Sequence, residues 1–437
     1  MVEYKTYKDS GVSWIGKVPS EWSSTRLRYY LSLEKGRTPS SLSVSPNGNL
    51  PYLTMDYLRG RDEKTTQYPI EVEGLRLVNE GDILVLWDGA NAGEITRAKS
   101  GYLSSTMALI GYDRSILSGD FLYFFLKAIE PVLKDFSSGT TIPHFDSSLL
   151  LDEPYFIPSK EEQESISNYL CSLTESIDVV IKEKESLLSD LNEYRKKLIG
   201  EIVSKGIGDD TSLEQTGISA FGEIPSTWKA VKIKYVLQQD KDGIKIGPFG
   251  SSLTNKVTDS GPIKVYGQWN IVDKNFLNGK NYVQLETFEE LNGYEVIPGD
   301  VLVSMMGTVG KCATIPAGIQ IGIMDSHVIK IRLNHSLIMN EYFELVYDKD
   351  NSNLVFSQIN EQKKGSIMDG LTSTIVKNLY IPLPPLNVQQ KIVDAVRTRT
   401  GIIDKAISAV KQQILDLDEY KASVIFEAVT GKIDVRQ

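Results

Sequence analysis

The chain has 437 residues, 41% hydrophobic and 24% charged, ordinary globular material with room for two or three domains at roughly 150 residues each. Its net charge of -10 argues against a free-standing nucleic-acid binder with a basic surface, an objection that weakens if partner proteins supply much of the phosphate neutralisation. Two cysteines, Cys171 and Cys312, are too few for a disulfide framework, and with three scattered histidines they make no metal spacing. The polar start MVEYKTYKDS carries no signal-peptide pattern, and runs such as FLYFFLKAI fall short of the roughly 20 residues of a membrane helix, so a cytoplasmic protein with no membrane contact is expected.

In chain order, the first element is a framework segment, SGVSWIGKVPSEWSSTRLRYYL from Ser10 to Leu31. It aligns without gaps on TGISAFGEIPSTWKAVKIKYVL from Thr216 to Leu237. Gly11, Gly16, Pro19, Ser20, Trp22, Tyr29 and Leu31 recur as Gly217, Gly222, Pro225, Ser226, Trp228, Tyr235 and Leu237. Next, YLTMDYL, DILVLW and MALIGY read as short strands, and GDFLYFFLKAIEPVLKDF carries helical spacing. Gly139, in SSGTTIPHF, closes the first globular copy.

After Pro158 a long helix is expected, with a stripe through Ile166, Leu170, Leu173, Ile177, Val180, Leu187, Leu191, Tyr194 and Leu198, broken only by Lys184. The second copy follows. IKVYGQWNIV, DVLVSMM and HVIKIRL read as its strands; Gly299 and Asp300 match Gly81 and Asp82, Gly307 matches Gly89, and Gly365 matches Gly139. After Pro384 a second stripe runs through Ile392, Val396, Ile403, Ala406, Val410, Leu417, Tyr420 and Val424. Each helix spans about 45 residues, or roughly 65 to 70 Å. The expected boundaries are 1–158 for the first globular domain, 159–205 for its helix, 206–215 for a linker, 216–385 for the second domain and 386–431 for the second helix.

Two matched stripes in one chain predict an antiparallel coiled coil relating the copies by a pseudo-two-fold axis, with the globular heads at opposite ends of a spacer. The fold class is therefore α+β: two mixed, β-rich domains, each followed by a long helix.

This plan, with the G-x-x-P-x-x-W opening, helix starts IPSKEEQESI and LPPLNVQQKI carrying Gln163 and Gln389, and the KIGPFGSSL segment, resembles the specificity subunit of type I restriction-modification systems across essentially the whole chain. The resemblance implies two target recognition domains that read double-stranded DNA. It also implies helices that dock two modification (methyltransferase) subunits and, through the assembly, a restriction (motor and nuclease) subunit. S-adenosylmethionine then belongs to the modification subunits, with no cofactor on this chain. Unlike heads imply an asymmetric bipartite target with half-sites about one helical turn apart.

Loop-like segments mixing hydrogen-bond donors with glycine supply the candidate DNA contacts. In the first head these are Arg37, Thr38, Arg59, Arg61, Asn91, Thr140 and His144. In the second they are Lys245, Ser251, Ser252, Gln268, Asn270, Thr308, Lys311, Lys363, Lys364 and Ser366. Arginine suits guanine and asparagine suits adenine, while many such contacts fall on phosphate instead. Trp269 is ambiguous between DNA contact and core, whereas Trp22 and Trp228, at matched positions, read as framework. Apolar residues beside the stripes, Ile181, Leu188, Ile202, Ile407, Ile414 and Phe426, are candidates for docking partner helices.

An enzyme in its own right finds no residues to carry it. GTVGKC at Gly307 to Cys312 has Met305 where a phosphate-binding loop needs its first glycine and Cys312 where it needs serine or threonine. Asp348 and Asp350 followed by Glu361-Gln362-Lys363 only faintly resemble a nuclease set, and no asparagine-proline-proline-aromatic methyltransferase segment occurs. The rival from another class is a structural coiled-coil adaptor without sequence-specific DNA binding, against which the divergence of the two heads counts.

Overall fold

Runs of β-branched residues bounded by glycine form the sheets, and they do so twice. A computed structural model describes residues 3–46, 48–60, 66–135, 143–152, 154–208, 212–239, 243–363 and 370–436. It divides into two units, Met1–Lys184 with Gln412–Gln437, and Glu185–Lys411.

In the first unit the apolar strand Ile83–Leu86, buried on both faces, lies antiparallel between Ile95–Arg97 and Met107–Tyr112, and Leu31–Lys35 completes a four-stranded sheet. In the second, Val301–Ser304 and Val328–Ile331 take the central places, with Cys312–Thr314 and Ile244–Ile246 at the edges in the same order. A smaller sheet repeats as well: Tyr52–Leu53 runs parallel to Gly101–Leu103, as Ile263–Tyr266 runs parallel to Gly322–Met324. Trp22 and Trp228 are both buried in the cores, as framework residues should be.

Two glycines fix where the loops beyond these sheets lie. A Cβ on Gly36 would sit 2.2 Å from the Ser104 carbonyl oxygen, and one on Gly247 would sit 1.9 Å from that of Asp325. Only glycine lets the backbone pass that close. The segments starting at Arg37 and at Pro248 are thereby pressed against corresponding turns of the two copies.

Two expected strands are shorter than their apolar runs. YLTMDYL is a strand only at Tyr52–Leu53 before the helix Met55–Leu58, because the Thr54 side chain accepts the Tyr57 N–H and caps that helix. IKVYGQWNIV likewise stops at Tyr266 and turns into the helix Gln268–Asp273, where the Asn270 side chain accepts the Gly267 N–H at 3.0 Å. The amphipathic run of the first copy forms the helix Gly119–Asp135 as expected.

The long helices span Lys160–Lys205 and Leu386–Val429. Each is tethered at its start by a buried glutamine. Gln163 Nε2 donates to the carbonyls of Ile116 (3.0 Å) and Pro158 (3.1 Å), and its Oε1 accepts from Ser118 N–H (2.8 Å). Gln389 repeats this on Leu337 (2.8 Å), Pro384 (2.9 Å) and Met339 N–H (2.8 Å).

The covered stripe keeps Ile177, Leu191, Ile403, Val410, Leu417 and Val424 of the expected one and shifts by one residue at the positions between them. Val180, Leu187, Tyr194 and Tyr420 are exposed, Tyr194 by 58%. The inward side instead follows Ile177, Ile181, Lys184, Leu188, Leu191, Arg195 and Ile202, and Ile403, Ile407, Val410, Ile414, Leu417, Lys421 and Val424. Apolar residues stand side by side at 180 and 181 and at 187 and 188, so spacing alone does not choose between the stripes. Charged members of the inward stripe pair across helices: Lys421 with Asp178 at 2.6 Å in the first unit, Arg195 with Asp404 at 2.6 Å in the second. Lys184 Nζ donates to Gln413 Oε1 at 2.8 Å. In the first unit the numbers fall along one helix as they rise along the other, so the two segments run in opposite directions.

Candidate nucleic-acid interface

The first head gathers its candidates around the ends of the central strands. Thr38 Oγ1 donates to Ser105 Oγ at 2.9 Å, and the Tyr52 hydroxyl accepts the Ser105 N–H (3.2 Å) while donating to the Arg37 carbonyl (3.4 Å). The next residue, Thr106, accepts the N–H groups of Trp87 (2.8 Å) and Asp88 (3.2 Å) through its carbonyl. Asp88 in turn holds two side chains of the surface: Lys35 Nζ, in an ion pair at 2.8 Å, and His144 Nδ1, in a hydrogen bond at 2.6 Å. Burial pushes the Asp88 carboxyl up, but hydrogen bonds from Lys35 and His144 outweigh it and leave its pKa below the ordinary value. Lys35 also lies over the Trp87 ring, 5.5 Å from its centre.

Asn91 is exposed on the turn between Ile83–Leu86 and Ile95–Arg97, whose far end is tied down by an ion pair of Glu94 with Arg59. Arg59 is thus committed to a carboxylate. Arg37 is exposed and, among the described residues, has no ion-pair partner. Arg61 and Thr140 lie outside the described residues.

In the second head Gln268, Ser304 and Thr308 converge. Ser304 Oγ lies 2.6 Å from Gln268 Oε1 and 2.5 Å from Thr308 Oγ1, and Met306 N–H donates to Gln268 Oε1 at 3.0 Å. Lys245 lies over the Tyr294 ring, 4.6 Å from its centre. Ser251 and Ser252 are exposed on the helix Gly250–Leu253, next to Phe249, which is 86% exposed. Trp269 is half-buried, its ring pressed on the backbone at Gly279.

Asn270 leaves the surface set. It is fully buried, and its amide donates to the carbonyls of Asn275 (2.8 Å) and Asn278 (3.4 Å), so it shapes the loop from within. Lys311 is paired with Asp350 at 2.7 Å. Asp348 is buried and paired with Lys274 at 3.2 Å, and Cys312 is buried in a strand, so the residues that faintly suggested nuclease or phosphate chemistry are occupied in packing. Lys364 and Ser366 lie outside the described residues, and of Lys363 only its backbone, at the end of the helix Leu354–Lys363, is described.

Among the docking candidates, Ile202 is buried in the core of the second unit and Ile407 is also buried, which removes both from any free face. Ile181, Leu188 and Ile414 are half-buried on the inward stripe, and Phe426 packs 6.5 Å from the Trp14 ring. The large apolar residues exposed on the helices are instead Val179, Val180, Leu187, Tyr194, Leu386, Ile402, Leu415 and Tyr420. Lys35, Ser105, Ser304 and Phe249 stand beside these candidates without having been singled out from the sequence. The signal for Phe249 was present: aligning Gly36 with Gly247 puts it opposite Thr38.

A duplicated β-rich head carrying donor-rich loops on a repeated framework, each copy joined to a long helix, defines a two-headed recognition protein. The chain belongs to the family of type I restriction modification DNA specificity domains, which it matches twice, over residues 19–189 and 238–414. It is 27% identical to the type I restriction enzyme MjaVIII specificity subunit of Methanocaldococcus jannaschii over 96% of this chain and 95% of that one. With the EcoBI specificity subunit of Escherichia coli it shares 20% identity over 86% of this chain and 78% of that protein. A chain in a solved structure concerning assembly and conformational transition of the type I R-M system superposes with a TM-score of 0.61 at 14% identity, covering 95% of this chain and 99% of that one, a likeness of fold. Among the described residues, no helix is long and apolar enough to cross a membrane.

Proposed function

We propose that this chain is the non-catalytic sequence-recognition subunit of a type I restriction-modification complex, each head reading one half of an asymmetric bipartite site on double-stranded DNA. The observation that carries the reading is conservation of framework against divergence of surface within one chain. Gly36 and Gly247, and Gln163 and Gln389, do the same work in both copies, whereas the exposed Thr38 is replaced by the exposed Phe249 at the corresponding place.

On this reading Arg37, Thr38, Asn91, His144 and Lys35 face DNA from the first head, and Lys245, Ser251, Ser252, Gln268 and Thr308 from the second. Arg61, Thr140, Lys363, Lys364 and Ser366 remain candidates on their position in the loops. Arg59 and Lys311 reach phosphate only by giving up Glu94 and Asp350. The helices pair as an antiparallel coiled coil, a reading supported by the cross-helix ion pairs within each unit. They dock two modification subunits, which carry S-adenosylmethionine and contribute cationic surface, and through them the restriction subunit. The complex works in the cytoplasm.

The test is exchange of the segment between Gly222 and Pro384 for that of a relative, followed by mapping of methylated adenines in cells carrying the complex. One half of the motif is expected to change while the other stays. Change in both halves together would sink the model of independent heads, and a methylation map indifferent to the chain would favour a structural adaptor.

A further inference from the structure

The side chain of Gln268 has its orientation settled by a backbone group. Met306 N–H can only donate, so the amide atom 3.0 Å from it is the oxygen, Oε1, and the Nε2 group points away. Ser304 Oγ, 2.6 Å from the same oxygen, must then donate its single proton to Gln268. With that proton used, the 2.5 Å contact between Ser304 and Thr308 has one polarity: the Thr308 hydroxyl donates to Ser304. The chain of hydrogen bonds runs from Thr308 through Ser304 to Gln268, and it leaves Gln268 with donors only and Thr308 with lone pairs only.

We propose that Gln268 is a specificity-determining residue of the second head that selects a keto base, guanine or thymine, in its half-site; this rests on the DNA-reading function proposed above. A glutamine reads adenine by accepting from N6 and donating to N7 together. Here the acceptor is already used twice, so that pairing is closed. The remaining NH2 group suits the two acceptors of guanine, O6 and N7, or thymine O4; adenine offers it N7 alone, beside the like donor N6, and cytosine only the donor N4. The residue type alone points to adenine; the surrounding hydrogen bonds reverse the preference.

The discriminating variant is Gln268→Glu. A carboxylate oxygen still accepts from Met306 N–H and Ser304, while the outward donor becomes an acceptor. The assembled complex, wild type and variant, is used to select sequences from a randomised duplex pool. Wild type is expected to enrich a two-part motif with guanine or thymine at one position of one half. Gln268→Glu should weaken that preference on the order of tenfold and favour adenine or cytosine there, with the other half unchanged as an internal check on folding. Thr308→Val should alter the same half.

An unchanged motif in Gln268→Glu, or wild-type preference for adenine or cytosine at the affected position, overturns the assignment. Loss of both halves in the variant overturns it too, by making Gln268 a framework group. If wild type itself enriches no two-part motif, the proposed function fails first.

Discussion

A buried carboxamide that makes three hydrogen bonds is costly to remove, because its partners keep their need for water. Gln163 and Gln389 are 1% and 0% exposed and each satisfies three backbone groups. Gln163→Leu and Gln389→Leu are each expected to lower stability by about 2 to 4 kcal/mol, read as a shift in denaturant midpoint. Asp88 gives a pH signature at this scale. Its folded pKa lies below the unfolded value of 3.8, so its contribution is full above that value and is lost as pH falls through the folded one. Asp88→Asn should therefore flatten the acid side of the stability profile below about pH 4 while releasing Lys35 and His144. Stability of the variant that falls on acidification as steeply as wild type would contradict this.

Among the elements, the long helices show where sequence reading succeeds and where it stops. Their existence, starts and duplication were legible, because a proline, a glutamine and a heptad pattern with few polar breaks recur at a constant interval. Which of two adjacent stripes turns inward was not, since Ile181 and Leu188 sit beside Val180 and Leu187 and hydrophobicity does not rank them. The deciding groups are polar. Asp178 and Asp404 occupy equivalent positions, as do Arg195 and Lys421, and the resulting two ion pairs are copies of each other. A double-mutant cycle on Arg195 and Asp404 should give a coupling of roughly 0.5 kcal/mol that shrinks as salt rises, in keeping with their partial exposure. No coupling at low salt would make the pair incidental. The loops were legible only in outline: composition marked Gln268 and Asn270 alike, yet one is presented and the other buried, a difference set by which neighbour caps the helix.

For the molecule as a whole, the acidic net charge leaves a reader short of phosphate partners, and several basic side chains of the heads are already paired, Arg59, Lys311 and Lys35 among them. Binding by the isolated chain should therefore be weak. The assembled complex should show a much steeper fall of affinity with salt, since each phosphate contact adds about one unit of slope. Equal slopes with and without partners would mean that the heads carry the electrostatics themselves.

The glutamine sockets bear on how such a protein acquires new targets. Gln163 and Gln389 grip only main-chain atoms of the head they hold, three apiece. A main-chain grip makes no demand on the identity of the residues gripped. A head exchanged by recombination between genes, or redrawn by mutation, can therefore be accepted by an inherited helix without a compensating change in the glutamine. New specificities can then arise by replacing cassettes, and any lineage that trades heads should leave these two glutamines untouched.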